Sequence, residues 1–327
     1  MKTAALGLVA AQAWIASAAI DGTLINRTTG RPLPQVEVRL MRMTAAGSDE
    51  VEVVKTDSQG RFVFQKTPEA VHYLVEARHQ GVTYSRMLAP GSAHRDVELA
   101  VYDVTRRREV AQLTQRIVFL EPAPQQLRVT ETWLFRNDGR LTWYDPTRGA
   151  FQFFVPQAAD VQVSVTVTAP GGMPVPRPVR KTNRPGWFQT DFPIKPGETR
   201  FDVSYTLPGA EAFSSRMEYP EVPTRLVVPR GVTLKGEGLE SLGQDPSLRA
   251  GIFEVKGRRE FAAEITGTGA LAEAGEEDLG PGLDPILPRI YDSLPWVLGP
   301  ALAALALGFL SLYRRSPAAR TAGGRGR

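Results

Sequence analysis

The sequence predicts an all-β chain: two or three tandem β-sandwich domains followed by one C-terminal transmembrane helix. Three observations carry that expectation. Between residues 21 and 268, short segments alternate apolar and polar residues with a period of two, at spacings of about ten residues, with Gly, Asn and Asp in the turns between them. No long stretch in that span carries the 3.6-residue period of an amphipathic helix. Near the end of the chain lie twenty uncharged residues, Leu294 to Tyr313, followed by a basic tail.

The N-terminal stretch "MKTAALGLVAAQAWIASAAI" begins with Lys2, carries no charge from Thr3 to Ile20, and ends in small residues. That is the layout of a secretory signal peptide, here 1–18, with an A-x-A-like cleavage site at Ala16–Ala18. An uncleaved anchor helix is the alternative, and the short apolar core favours cleavage. At the other end, twenty helical residues rise about 30 Å, the thickness of a hydrocarbon core. Segment 294–313 has no polar face. Trp296 and Tyr313 stand near its ends, where amphipathic rings prefer the headgroup level. Pro295 and Pro300 fall in the first turns, where a missing N–H is tolerated. Arg314 and Arg315 open the tail 314–327, which holds five arginines and no acid, so the tail is expected to stay in the cytoplasm.

Topology changes the meaning of the net charge. The chain is +4, but Lys2 and the five tail arginines supply six positive charges, so the rest carries −2. No nucleic-acid partner is expected from that balance. The chain has no cysteine, so its exported portion relies on apolar cores instead of disulfides. Arginine greatly outnumbers lysine, a composition that suggests a bacterial source.

The elements of 19–103 are strand-length. In "QVEVRL", Val36, Val38 and Leu40 alternate with Gln35, Glu37 and Arg39. In "TDSQGRF", Asp57 is placed to accept from backbone N–H groups two residues on, and Gly60 to take the left-handed conformation that closes the turn. This hinge is expected to bring Val53 and Phe62 to one core. Asp57 as a cation ligand is the weaker option, since calcium takes about six to eight oxygens and no second acid stands nearby. "IDGTLINRTTGRPLPQVEVRL", "TDSQGRFVF" and "YLVEARHQG" together resemble the carboxypeptidase regulatory-like domain, a transthyretin-like β-sandwich. The resemblance is carried by Gly22, Thr29, Gly30, Arg31, Pro32, Val36, Val38, Thr56, Asp57, Gly60, Phe62 and Phe64, and covers residues 20–102. It implies a sandwich of about seven strands with an accessory role, supporting, spacing or docking other domains, and no active-site residues.

Residues 104–268 keep the strand texture. "QLRVTETWLFRNDGRLTWYDP" reads as a strand, a turn at Asn137–Asp138–Gly139 of the kind that closes hairpins, and a second aromatic strand. Val161, Val163, Val165 and Val167 alternate cleanly. The Pro/Gly-rich 169–187 is read as a loop. The length suits one large or two small Ig-like sandwiches. Residues 269–293, with Glu276, Glu277 and Asp278 among Gly and Pro, are read as an acidic stalk.

Catalytic signatures are scarce. His72, His79 and His94 occur without an H-E-x-x-H pattern, and there is no G-x-S-x-G elbow, P-loop or thiol nucleophile. No cofactor, metal or catalytic residue is therefore expected; a glycosidase-like carboxylate pair is the residual enzyme reading. Seven aromatics gather between Trp133 and Phe154. Trp133 and Phe135 have the core period, whereas Trp143 and Tyr144 are adjacent and point to opposite faces if extended. One of these two is the expected contact for a partner or a glycan. The expected protein is a non-catalytic binding or assembly module of the bacterial cell envelope, anchored in the cytoplasmic membrane with its N-terminal portion exported. Its expected partners are the membrane and an envelope protein, with envelope polysaccharide as the alternative.

Overall fold

The computed structural model describes residues 20–271, apart from 45–46, 66–70, 91–93, 150, 157–160, 220–221 and 246–248. The expected signal peptide, most of the stalk, the transmembrane segment with Trp296 and Tyr313, and the tail with Arg314 and Arg315 lie outside these residues. Among the described residues, no helix is long and apolar enough to cross a membrane. Among these residues the fold is all-β, with one short 3-10 turn at Arg108–Val110.

Residues 20–101 build two four-stranded sheets. In one, Ile20–Asn26 pairs antiparallel with Arg31–Pro32 and Arg61–Phe64, and in parallel with Val97–Val101. Gly22 lies opposite Val97 there, and a Cβ would stand 2.0 Å from the Val97 carbonyl oxygen, so the approach admits only glycine. The other sheet runs Gly47–Lys55, Glu37–Thr44, Tyr73–His79, Val82–Leu88, all antiparallel. Alternate residues fill the space between, including Leu24, Val38, Leu40, Phe62, Phe64 and Val75.

The "TDSQGRF" turn joins the two sheets. The Asp57 carboxylate accepts from the N–H of Gln59 at 2.8 Å and of Arg61 at 2.9 Å, and Gly60 has φ +73°. The strand before it belongs to one sheet and the strand after it to the other. Val53 does not reach the core with Phe62. It is 42% exposed, because it pairs with outward-facing Arg39, whereas Val54 lies opposite buried Val38. Gly30 takes φ +74° in the turn that leads to Pro32.

Residues 112–266 pack around one cluster of buried side chains running from Leu113 to Ile265. An eight-stranded sheet has the order Pro174–Arg177, Val163–Thr168, Gly197–Pro208, Gln126–Asn137, Gln112–Ala123, Thr224–Pro229, Ala250–Val255, Leu239–Asp245. Its one parallel pair is Gln112–Ala123 with Thr224–Pro229. Two three-stranded sheets share its core. One is Phe151–Phe154, Trp187–Thr190 and Val179–Lys181; the other is Ala212–Arg216, Glu260–Thr266 and Thr233–Lys235. Phe151 stacks on Phe201 at 4.5 Å and meets Phe135 edge-on at 5.8 Å, tying the layers together. Trp133 and Phe135 are both buried.

Two local expectations are corrected. The Pro-rich 169–187 contains strands, Pro174–Arg177 and Val179–Lys181. They are edge strands, where a proline's missing N–H costs no ladder bond. The Asn137–Gly139 turn forms, with the Asn137 side-chain oxygen accepting from Gly139 N–H at 3.0 Å, but it closes no hairpin. Both edges of Gln126–Asn137 are already taken, by Gln112–Ala123 and Gly197–Pro208. The next strand, Leu141–Trp143, leaves to pair in parallel with Asp103–Thr105.

Candidate binding site at the sandwich junction

The two sandwiches meet through that parallel pair, and several side chains fasten the seam. Asp103 accepts from His79 Nε2 at 2.9 Å, Asn26 Nδ2 at 2.8 Å and Gln80 Nε2 at 3.0 Å. The bond to His79, followed by those to Asn26 and Gln80, holds the Asp103 carboxyl below the usual carboxylate range against the opposing effect of burial. The Tyr84 hydroxyl donates to the Tyr102 carbonyl at 2.8 Å and lies 2.7 Å from Thr142 Oγ1. Burial pushes its pKa up to about 12. Lys195 crosses the seam in the other direction, donating to the Thr83 carbonyl at 2.7 Å with its ammonium 4.9 Å from the Tyr84 ring centroid. Burial lowers its pKa to about 8, against an opposing pull from Glu76.

Trp143 and Tyr144 both sit at this seam, Trp143 buried and Tyr144 half-buried. They do point to opposite faces. Trp143 enters the second core at 5% exposure, its N–H and C=O both bonded to Ile194. Tyr144 packs on the first core, with its hydroxyl 3.4 Å from Asp191. Burial, then the Asp191 charge, raises the Tyr144 hydroxyl pKa.

Just beyond the seam lies a groove of about 1080 Å³, rimmed by Arg106, Arg107, Arg108, Arg148 and Arg184. Its position follows from local structure. Arg106 to Arg108 leave the seam strand Asp103–Thr105 and enter the 3-10 turn. Arg148 sits in the loop after Trp143, where the Asp145 carboxylate accepts from the N–H of Thr147 at 3.0 Å and of Arg148 at 3.2 Å. Arg184 is ion-paired with Glu218 and lies 3.7 Å over the Trp187 ring. Arg108 stacks 5.6 Å from the Tyr219 centroid, and burial raises that hydroxyl's pKa despite Arg108. Among the described residues, Arg106, Arg107 and Arg148 have no carboxylate partner. Exposed guanidinium forks converging on one concavity suit an anion with planar acceptor groups.

The sequence reading passed over this groove because net charge averages it away. The run Arg106–Arg107–Arg108 was the visible signal; Arg148 and Arg184 join it only in space. His72, His79 and His94 do not gather. Among the described residues, no three His, Cys, Asp or Glu side chains come together to hold a metal ion.

The chain matches no known family by sequence, and no curated protein matches it. Among solved structures it is similar to an M1 zinc metallopeptidase from Deinococcus radiodurans, 12% identical, with a TM-score of 0.27 over 47% of this chain and 42% of that one. A mutant of the same enzyme gives 13% identity at the same TM-score and coverage. The match thus spans less than half of the enzyme's length.

Proposed function

We propose that this protein is a non-catalytic binding or assembly module of a bacterial cell envelope, exported at its N-terminal side and anchored by segment 294–313. In this reading 20–102 is a transthyretin-like domain of the carboxypeptidase regulatory-like type, and 104–268 one Ig-like sandwich. The observation that supports the binding role is the arginine-rimmed groove beside a fastened seam. Its rim is an array of exposed guanidinium donors, and two of its carboxylates are already engaged, Glu218 by Arg184 and Asp145 by backbone N–H groups. That leaves a surface better suited to holding than to general acid–base chemistry.

The test is a photo-crosslinking side chain at Gln152, on the groove wall, in native membranes. The expected result is one recurrent envelope protein, identified by mass spectrometry and lost in an Arg106→Glu/Arg107→Glu variant. A protein-free result in well-expressed, folded protein would count against the proposal. Polysaccharide recognition is the second reading. With Trp143 buried, it would fall to Trp187 and Phe154, half-buried rings 5.8 Å apart in a separate hollow that shares Arg184 with the groove, and retention on immobilised glycans would be lost in Trp187→Ala.

A further inference from the structure

We infer, building on the binding role proposed above, that the junction groove takes an acidic polypeptide segment, whose carboxylates are read by Arg106, Arg107 and Arg148.

The charge balance comes first. Of the carboxylates around the groove, Glu218 is ion-paired with Arg184, and Asp145 caps its own loop through backbone N–H groups. Arg108 has its guanidinium over Tyr219 and no carboxylate partner among the described residues. Four guanidinium groups thus stand against two lining carboxylates outside that ion pair, Glu109 and Asp145. Those four lie on two separate segments, 106–108 and 148, brought together by the seam. An extended ligand with carboxylates along its length can bridge both; a single small anion engages one.

Donor type is the second consideration. The rim carries arginine and no lysine. A planar fork binds a carboxylate through two parallel N–H···O bonds, which gives orientation as well as charge.

The third is the lack of an open aromatic face among the lining residues. A sugar ring packs the C–H groups of one face on a bare aromatic plane. Trp143 is buried and Tyr219 lies under Arg108. Of the carboxylates that could meet sugar hydroxyls, Glu218 is ion-paired and Asp145 is bonded within its loop, leaving Glu109. An acidic polypeptide needs neither the plane nor the acceptors, and recognition of acidic segments by arginine clusters is a recurring mode.

The experiment uses full-length protein and three probes: a short oligo-glutamate peptide, an oligo-lysine peptide of equal length, and an oligogalacturonate. Binding is followed by calorimetry. The expected result is that oligo-glutamate binds, that oligo-lysine does not, and that added salt weakens the interaction, since the rim charges are solvent-exposed. Arg107→Glu/Arg148→Glu should weaken oligo-glutamate binding by at least about tenfold, the scale of one lost charge-assisted bond. Arg225→Glu, on an exposed position of strand Thr224–Pro229 away from the groove, should leave it unchanged. Absence of oligo-glutamate binding, equal loss in both variants, or tighter groove-dependent binding of oligogalacturonate would each overturn the inference. Far-ultraviolet circular dichroism of each variant shows that it is folded. If oligo-glutamate fails while Gln152 still crosslinks an envelope protein, the binding role stands and only the acidic-peptide assignment falls.

Discussion

Arg116 and Glu131 are fully buried on adjacent strands and bonded to each other and to two hydroxyls. Arg116 Nη2 donates to Glu131 Oε2 at 2.7 Å and to Ser215 Oγ at 2.6 Å, and its guanidinium lies 4.2 Å from the Trp133 centroid. Glu131 Oε1 accepts from the Tyr205 hydroxyl at 2.6 Å, and burial followed by the Glu131 charge pushes that hydroxyl's pKa far up. A buried pair is strongly destabilised when one partner is removed. Arg116→Met should therefore cost about 3–5 kcal/mol in a urea unfolding experiment, and adding Glu131→Leu should recover part of that loss. A loss no larger than an exposed substitution gives would show that the network is not closed in solution. Lys195 offers a pH test. Its pKa is lowered to about 8, so the unfolded chain binds more protons than the folded one between that value and the usual lysine range. Stability should rise as pH climbs through that window, and Lys195→Met should flatten the rise in thermal unfolding curves.

At the scale of elements, the "TDSQG" corner shows how much sequence reveals. Asp57 and Gly60 were legible because turn chemistry is local: one carboxylate, two N–H groups and one left-handed residue lie within five positions. Gly60→Ala should destabilise the first sandwich by about 1–3 kcal/mol, through its positive φ and a Cβ 2.8 Å from the Leu24 carbonyl oxygen. A neutral result would place the turn elsewhere. Which strands the corner joins was not legible, because pairing is decided by partners distant in the chain. The same limit hid the fate of Asn137–Gly139, where two occupied strand edges forbid the hairpin. Period-two alternation found the core positions of Trp133 and Phe135 and the opposed faces of Trp143 and Tyr144. It could not show that those two faces belong to different sandwiches, since that depends on Leu141–Trp143 pairing with Asp103–Thr105. The groove was invisible for the same reason: its arginines come from three separate stretches.

For the whole molecule, the seam sets how the two sandwiches respond together. Asp103, Tyr84, Tyr144 and Lys195 connect them through side chains as well as backbone. Tyr144→Ala combined with Asp103→Asn should split one calorimetric unfolding transition into two; a persistent single transition would mean that the seam contributes little. Because the Asp103 carboxyl titrates below its ordinary range, its contribution is complete above the unfolded carboxylate pKa and fades as pH falls through the folded value. Acid should therefore separate the sandwiches before it unfolds either, with Asp103→Asn removing that part of the pH dependence. A fastened seam fixes the backbone segments that carry the rim arginines, which limits the entropy cost of binding.

We propose that this groove faces the outside of a membrane while the arginine tail stays within. The natural chain has no cysteine, so single cysteines report topology without background. In intact cells whose outer barrier is opened, a membrane-impermeant maleimide should label Gln152→Cys at once and Thr321→Cys only after lysis. Labelling of both before lysis, or of Gln152→Cys only after it, would contradict the account.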